Sequence, residues 1–394
     1  MTARNLRHFR VFLAVSDTRS VGQAAARCGV SQPAVTQALA KLERESGGAL
    51  FERTRQGFFP TARGEVFAPR IRRAMERLDT ALAEVSPRLT LTATAPQLQA
   101  LVAVAEAQNF TLAARNLGLA QPTVHRAVTQ LEQEAARALF ERTSFGVVPT
   151  RACVALVRAT RLAFSEVGQA EADLAEFDGR EAGSVVIGAL PLSRTVILPE
   201  ALARFREQRP KQRVTVIDGP YDEMLGGLRR GEIDVIVGAL RDPAPVSDIV
   251  QEPLFTDRLA VLARPGHPLA GSGTVPLETL MRFAWAVPRP GTPSRAQFDA
   301  LFESRGLALP DSIVECGSIL LMRELLARSD LLGCISGHQS AAEVGNGLVV
   351  RLQTEADWPG RAIGMTTRAG WIPTAAQGLM LDTIRAIASR LGPV

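Results

Sequence analysis

Lysine, cysteine and tyrosine are scarce in this chain. Lys41 and Lys211 are the only lysines among 45 basic residues, and Tyr221 is the only tyrosine. The four cysteines, Cys28, Cys153, Cys316 and Cys334, lie too far apart for a CxxC pair or a zinc-ligand spacing. They read as small buried apolar groups in a reducing compartment. No apolar run approaches the roughly 18 residues needed to span a bilayer. Val11–Val15 is too short for the apolar core of a secretory signal, so a cytoplasmic protein with no membrane partner is expected. Gly-x-Ser-x-Gly, a P-loop lysine and HExxH are all missing, and His8, His125, His267 and His338 share no spacing. With no nucleophile–base set and no ligand cluster, the expectation is a protein that is not an enzyme and needs no cofactor or metal.

The material that is present is ordinary globular sequence, unevenly charged. A length of 394 residues predicts two or three domains. A hydrophobic share of 46% with 22% charged residues excludes a largely disordered chain. The net charge of +5 sits at one end. Residues 1–90 hold 15 Lys+Arg against 8 Asp+Glu, residues 91–180 hold 8 against 9, and residues 181–394 hold 22 against 23. A basic end on a balanced chain suggests a polyanionic partner, nucleic acid foremost.

A repeat occupies that end, at a constant offset of 89 residues. Ala24-Ala25 recurs as Ala113-Ala114, Gln32-Pro33 as Gln121-Pro122, and Leu42-Glu43 as Leu131-Glu132. Leu50-Phe51-Glu52-Arg53-Thr54 recurs as Leu139-Phe140-Glu141-Arg142-Thr143, Gly57 as Gly146, and Pro60-Thr61 as Pro149-Thr150. No gap is needed from Leu6 to Thr61.

Each copy reads as helices joined by short turns. In copy one, Leu6, Phe9, Phe12 and Leu13 share a helical face, Ser20 caps a second helix, and Gly29 suits the turn that follows. Ser31 caps a third helix, with Pro33 tolerated in its first turn. Val35, Leu39 and Leu42 form the buried stripe of that helix, leaving Gln32, Thr36, Gln37 and Lys41 outward. Helix, short turn, then a helix with a polar face is the helix-turn-helix layout, in which Gln and Thr hydrogen-bond base edges. Residues 53–59 read as a short hairpin, or wing, whose Arg53 and Arg55 contact phosphates. Copy two offers Gln121, His125, Arg126 and Arg142 at the matching places, but Ala120 replaces the Ser31 cap and Ser144 replaces Arg55. Residues 4–63 hold 10 basic against 4 acidic side chains, and residues 98–152 hold 5 against 4, so copy two is the weaker phosphate binder.

The set Ser20-x-x-x-Ala24-Ala25, Ser31-Gln32-Pro33-Ala34-Val35-Thr36, Leu42-Glu43, Leu50-Phe51-Glu52-Arg53 and Pro60-Thr61-x-x-Gly64 resembles the winged helix-turn-helix of LysR-type transcriptional regulators. Copy two resembles it through Asn109-Phe110, Ala113-Ala114, Gln121-Pro122-Thr123-Val124 and Leu139-Phe140-Glu141-Arg142. Most members of that family carry one such domain, so the duplication is a departure. Apolar residues follow each copy at near-heptad spacing: Val66, Phe67, Ile71, Met75, Leu78 and Leu82 after copy one, and Leu156, Leu162, Val167, Leu174 and Phe177 after copy two. The resemblance implies linker helices that dimerise; a helix packed on its own domain fits the same spacing.

From Gly183 the pattern changes to alternating strands and helices, as in a parallel α/β sheet. Strands are expected at residues 185–190, 214–217, 233–238, 259–263, 284–287 and 312–315, and a helix at residues 193–206. Gly231-Glu232-Ile233-Asp234, Gly238-Ala239-Leu240-Arg241 and His267-Pro268-Leu269-Ala270 resemble the family's effector domain, a two-lobe fold like periplasmic solute-binding proteins. The expected fold class is therefore α plus α/β: two winged helix-turn-helix domains with linker helices, then a two-lobe effector domain. The expected division is 1–63 and 93–152 for the two winged domains, 64–92 and 153–180 for the linker helices, and 181–394 for the effector domain. Lobe I would take residues 183–262 and 362–394, and lobe II residues 263–361.

Ligands of open α/β lobes sit at the carboxyl ends of strands, near helix starts. Ser193, Tyr221, Arg241 and Ser318 hold such places, and Arg289 with Thr292 would close from the second lobe. Hydroxyls, free N–H groups and a guanidinium suit an anion. Ser193 and Ser318 also read as simple helix caps, and Arg241 as a surface ion pair. The resemblance implies a regulator that binds double-stranded DNA and a small organic anion, either an aromatic acid or sugar-derived. It also implies a homo-oligomer, dimer or tetramer, and admits RNA polymerase as a partner. The competing reading is a solute-binding module whose repeats only assemble it. Copy two either reads a second half-site through Gln121, His125 and Arg126 or is a dimerisation or spacer copy that has lost its phosphate grip.

Overall fold

A computed structural model describes residues 5–144, 146–355 and 357–392. Residues 1–4 of the expected first domain and 393–394 of the last lie outside the described residues. The chain divides into two compact units, Met1–Gly183 and Ser184–Val394.

The first unit contains both repeats. Copy one is α1 (Leu6–Thr18), α2 (Val21–Cys28), α3 (Gln32–Ser46), the hairpin β1 (Phe51–Thr54) and β2 (Gly57–Pro60), and the long α4 (Ala62–Val85). A short α5 (Leu89–Thr92) leads to copy two: α6 (Ala95–Ala107), α7 (Phe110–Leu117), α8 (Gln121–Ala135), the hairpin β3 (Phe140–Thr143) and β4 (Gly146–Pro149), and α9 (Arg151–Phe177). Asn5, Ser20, Ser31 and Thr61 each accept a backbone N–H at their helix start, as short polar side chains do at N-caps. The small buried side chains of Ala24 and Ala25 let α2 lie close against α1 and α3.

The repeat extends to individual bonds. Glu43 Oε1 accepts the N–H groups of Leu50 at 2.9 Å and Phe51 at 3.2 Å, fixing the hairpin to α3. Glu132 Oε1 does the same for Leu139 at 2.8 Å and Phe140 at 3.1 Å. Asp17 pairs with Arg72 at 2.6 Å, and the matching Glu106 pairs with Arg161. The Phe58 N–H donates to the Arg19 carbonyl, and the Val147 N–H to that of Gln108. Gly57 at φ +135° and Gly146 at φ +141° pass these carbonyls so closely that a Cβ would collide with them.

α4 and α9 pack antiparallel on one another. Arg70, almost fully buried, donates to Asp173 at 2.8 Å, Gln169 at 2.8 Å and the buried Glu166 at 3.4 Å. Arg73 reaches Glu166 at 2.9 Å, and Arg63 reaches Asp178 and the Ser46 carbonyl. A single apolar core runs from Leu6 of copy one to Leu174 on α9. The linker helices are therefore partners within one chain.

The second unit has two lobes. It begins with β5 (Ser184–Ala189), α10 (Pro191–Val196), α11 (Leu198–Gln208), β6 (Arg213–Ile217), α12 (Tyr221–Arg230), β7 (Val235–Ala239), β8 (Ile249–Asp257) and β9 (Leu259–Ala263). It continues with α13 (Leu277–Leu280), β10 (Trp285–Val287), α14 (Pro293–Ser304), β11 (Ile313–Glu315), α15 (Ile319–Ala327), β12 (Leu332–Ser336), α16 (Ala341–Gly345), β13 (Val350–Leu352), β14 (Arg361–Arg368) and α17 (Ala375–Ala388). One sheet has the order β6-β5-β7-β14-β8, the other β11-β10-β12-β9-β13.

Three expectations need correction. The expected lobe I reaches residue 262, but β9 pairs with β12 and β13 in the second sheet, so the change of lobe falls at Arg258. Neither sheet is wholly parallel, because β14 runs antiparallel to β7 and β8, and β9 antiparallel to β12 and β13. The single helix at 193–206 is two, broken at Ile197, because Pro199 lacks an N–H and its ring crowds the preceding turn.

The lobes are joined where these strands cross over. Asp257, fully buried at the end of β8, accepts Arg361 at 2.7 and 3.1 Å and the Ser336 hydroxyl at 2.7 Å, with His338 Nδ1 at 2.9 Å. Arg361 also holds the Ser294 hydroxyl on α14. Burial alone would raise the Asp257 carboxyl; His338, Arg361 and Ser336 outweigh it and hold the group below the usual carboxylate range.

Two stability predictions follow from this architecture. Gly57→Ala, and separately Gly146→Ala, should each cost at least about 1–3 kcal/mol in urea unfolding, because backbone conformation and carbonyl contact both oppose a side chain. Asp257→Asn should cost about 3–5 kcal/mol by leaving Arg361 without its counter-charge. Since the Asp257 carboxyl is depressed in the fold, its contribution is complete above the ordinary carboxylate pKa near 4 and disappears as pH falls through its own lower value. Thermal unfolding of Asp257→Asn should therefore lose less than wild type over that acid window; equal acid sensitivity would refute the assignment.

Candidate nucleic-acid interface and effector lobe

α3 presents a polar row to solvent. Ser31 accepts the Ala34 N–H at 3.4 Å, and Pro33 sits in the first turn. Val35, Ala38, Leu39 and Leu42 are buried, while Ser31, Gln32, Pro33, Thr36, Gln37 and Lys41 are exposed. The Thr36 hydroxyl donates to the Gln32 carbonyl at 3.3 Å, leaving its oxygen able to accept. Lys41 lies 3.9 Å from Glu45, a loose surface pair. On the hairpin, Arg53 and Arg55 are exposed, and the Arg53 guanidinium lies 5.4 Å from the Phe58 ring centroid.

α8 differs in detail. Ala120 provides no side-chain cap. Gln121 and Arg126 are exposed, as is Arg142 on the hairpin. His125 is half-buried, with its ring 5.1 Å from that of Phe110 and Nδ1 3.4 Å from the Thr129 hydroxyl. Its ring is thus partly committed to packing.

In the second unit the six expected ligand residues separate into groups. Tyr221 opens α12, and Arg241 follows β7, with its guanidinium 4.4 Å from the Tyr221 ring centroid. The Tyr221 hydroxyl oxygen is buried and has no hydrogen-bond partner among the described residues. Gln251 holds the Arg241 backbone from both sides, accepting its N–H at 2.9 Å and donating to its carbonyl at 2.8 Å. Burial pushes Tyr221 up and Arg241 down from their ordinary values.

Ser193 departs from expectation. It lies inside α10 and is fully buried, and its hydroxyl donates to the Leu190 carbonyl at 2.8 Å. It neither caps a helix nor faces solvent. Arg289 is exposed; Thr292 caps α14 and donates to the Arg289 carbonyl at 2.8 Å. Ser318 is exposed and caps α15. Arg241 has a ring partner in place of the alternative surface ion pair. Gln251 carries no local signal in the sequence; Arg295 bridges Asp299, an i,i+4 pair open to sequence reading, and Glu315, which is not. Among the described residues no group of His, Cys, Asp and Glu is placed to hold a metal, and no helix is long and apolar enough to cross a membrane.

Comparison with known proteins gives this geometry a family. The model for the bacterial regulatory helix-turn-helix protein, lysR family, matches twice, at residues 6–65 and 96–154. The LysR substrate binding domain matches residues 178–388. The HTH-type transcriptional regulator GalR of Pseudomonas putida is 36% identical over 386 residues, covering 97% of each chain. The HTH-type transcriptional regulator PcaQ of Agrobacterium fabrum is 26% identical over 294 residues, 75% of this chain and 94% of that one. In structure, a full-length OxyR variant from Pseudomonas aeruginosa superposes with a TM-score of 0.54 at 23% identity, covering 74% of this chain and 97% of that one, a likeness of fold. GalR and PcaQ are transcriptional regulators rather than enzymes, and a likeness to GalR over 97% of both chains favours a regulator over a solute-binding module whose repeats only assemble it. The chain belongs to the LysR family of ligand-responsive, DNA-binding transcriptional regulators.

Proposed function

We propose that α3 enters the major groove of double-stranded DNA, with Gln32, Thr36, Gln37 and Lys41 facing the bases and Arg53 and Arg55 holding phosphates. Ser31 and Pro33 fix the start of the reading helix. The observation that supports this is the unbroken exposed row beside a hairpin arginine steadied by its own Phe58 ring. The matching face of α8, with Gln121, His125 and Arg126 and the hairpin Arg142, stands as a second candidate surface.

The effector is a small organic anion, aromatic or sugar-derived. Its anchor is the Tyr221–Arg241 pair at the start of a helix, where a guanidinium lies over an aromatic ring whose buried hydroxyl has no hydrogen-bond partner among the described residues. An aromatic carboxylate suits both the ring and the charge. Arg289, Thr292 and Ser318 would meet the ligand from the second lobe. Ligand binding would favour one arrangement of the assembly over another, to the extent that it binds the two differently. Homo-oligomerisation is supported by the edge strand β6, which leaves Val216 and Ile217 exposed. RNA polymerase belongs to this proposal as the downstream partner.

Thr36→Ala should relax base preference at one or two positions, whereas Arg53→Ala should weaken binding to all sequences alike and lower its salt dependence. Affinity measurements on specific and scrambled duplexes distinguish the two; wild-type behaviour of both variants would end the α3 reading. Calorimetry with a panel of aromatic carboxylates and sugar acids should find a binder whose affinity Arg241→Ala reduces about tenfold or more, as expected for a charged hydrogen bond. An equal affinity in Arg241→Ala would place the anion elsewhere.

A further inference from the structure

Each reader helix is followed by a long helix, and the two long helices pair with each other in one chain. That pairing is selective. Arg63, Arg70 and Arg73 lie on α4, while Glu166, Gln169 and Asp173 lie on α9. At the repeat offset the partners are not reproduced: Glu166 corresponds to Arg77, Arg70 to Ala159 and Arg73 to Leu162. An α4–α4 pair built the same way would set Arg77 opposite Arg70 and Arg73. An α9–α9 pair would leave the buried Glu166 facing Ala159 and Leu162. Only the mixed pair answers its own charges, and the covalent connection supplies it at high effective concentration. The apolar core shared from Leu6 to Leu174 locks the two modules into one body.

The modules so joined are not copies in their reading faces. Thr36 and Gln37 on α3 are His125 and Arg126 on α8, and Arg55 on the first hairpin is Ser144 on the second. Identical readers related by symmetry select identical half-sites; unlike readers select unlike ones.

We propose that one chain is a complete two-reader unit, in which α3 and α8, fixed by the α4–α9 pair, read a single DNA segment made of two unlike elements. Copy two is then a reader with its own base preference, through Gln121 and Arg126, rather than a spacer. This rests on the reading of α3 as a DNA-recognition helix.

The test is selection of binding sites from random duplex DNA by the full-length protein, repeated with two doubly substituted variants. Thr36→Ala with Gln37→Ala alters α3, and Gln121→Ala with Arg126→Ala alters α8; all four side chains are exposed, so folding is preserved. The wild-type motif should hold two different elements. Each variant should flatten one element, keep the other, and lose about tenfold or more in affinity for the selected site. If the α8 variant keeps the whole motif and full affinity while the α3 variant loses its element, the two-reader unit is refuted and the α3 reading stands. If the wild type enriches no motif, the α3 reading itself fails and the proposal falls with it.

Discussion

Arg70 has almost no contact with water, and its charge is answered by side chains about a hundred residues further along the chain. The arrangement of the first unit depends on that encounter. Taking the guanidinium and Glu166 out of water costs several kcal/mol, which their attraction does little more than repay. What the cluster contributes is choice: apolar faces such as Leu78 and Leu82 on α4 would accept many partners, but Arg70 accepts only a helix bearing carboxylates in this register. Burial of the surrounding Phe, Leu and Val side chains supplies the stability, and the buried charges select which helices share it.

A similar division of labour governs the second unit. Each lobe has its own apolar clusters, the larger built around Phe205 and Phe255 in one and around Trp285, Phe298 and Phe302 in the other. Two strands of the first sheet meet the crossover to the second, and there the core gives way to Asp257 and its charged and hydroxyl partners. Hydrogen bonds at this crossover tolerate only a few geometries, so the lobes are joined by a contact that is specific in direction.

Much of the first unit was legible because its determinants are local. Ser20, Ser31, Gly29 and the stripe Val35, Leu39 and Leu42 lie within one or two helical turns of what they control, and a second copy at fixed offset shows each signal twice. The exposed row of α3 could be read for the same reason. The effector lobe was legible only in outline. Strand periodicity found Leu259–Ala263 but could not say which sheet it joins, because a buried strand looks alike in either. Ser193 looked like a cap because it follows a strand, yet the helix starts two residues earlier at Pro191 and turns the hydroxyl inward. Asp257 and Arg361 are 104 residues apart, and the Gln251 clamp on Arg241 depends on where β8 folds back. No window of sequence holds both Asp257 and Arg361, while Arg241 and Gln251, ten residues apart, pair only through the path of the chain between them. The Arg70 cluster was missed for that reason too: the heptad-like apolar spacing was visible, but its partner helix was not.

The α4–α9 contact also alters what mutation can do to this protein. In a symmetric dimer every interface residue occurs twice, so a substitution is tried simultaneously on both sides of the axis, and a charge that helps at one contact is repeated at its mate. Here the two sides are separate stretches of one gene. Glu166 could arise opposite Arg73 while Arg77, its counterpart in the repeat, kept the opposite sign. Duplication within a chain therefore frees an interface from self-complementarity, and each half is open to a divergence that no symmetric pair could survive.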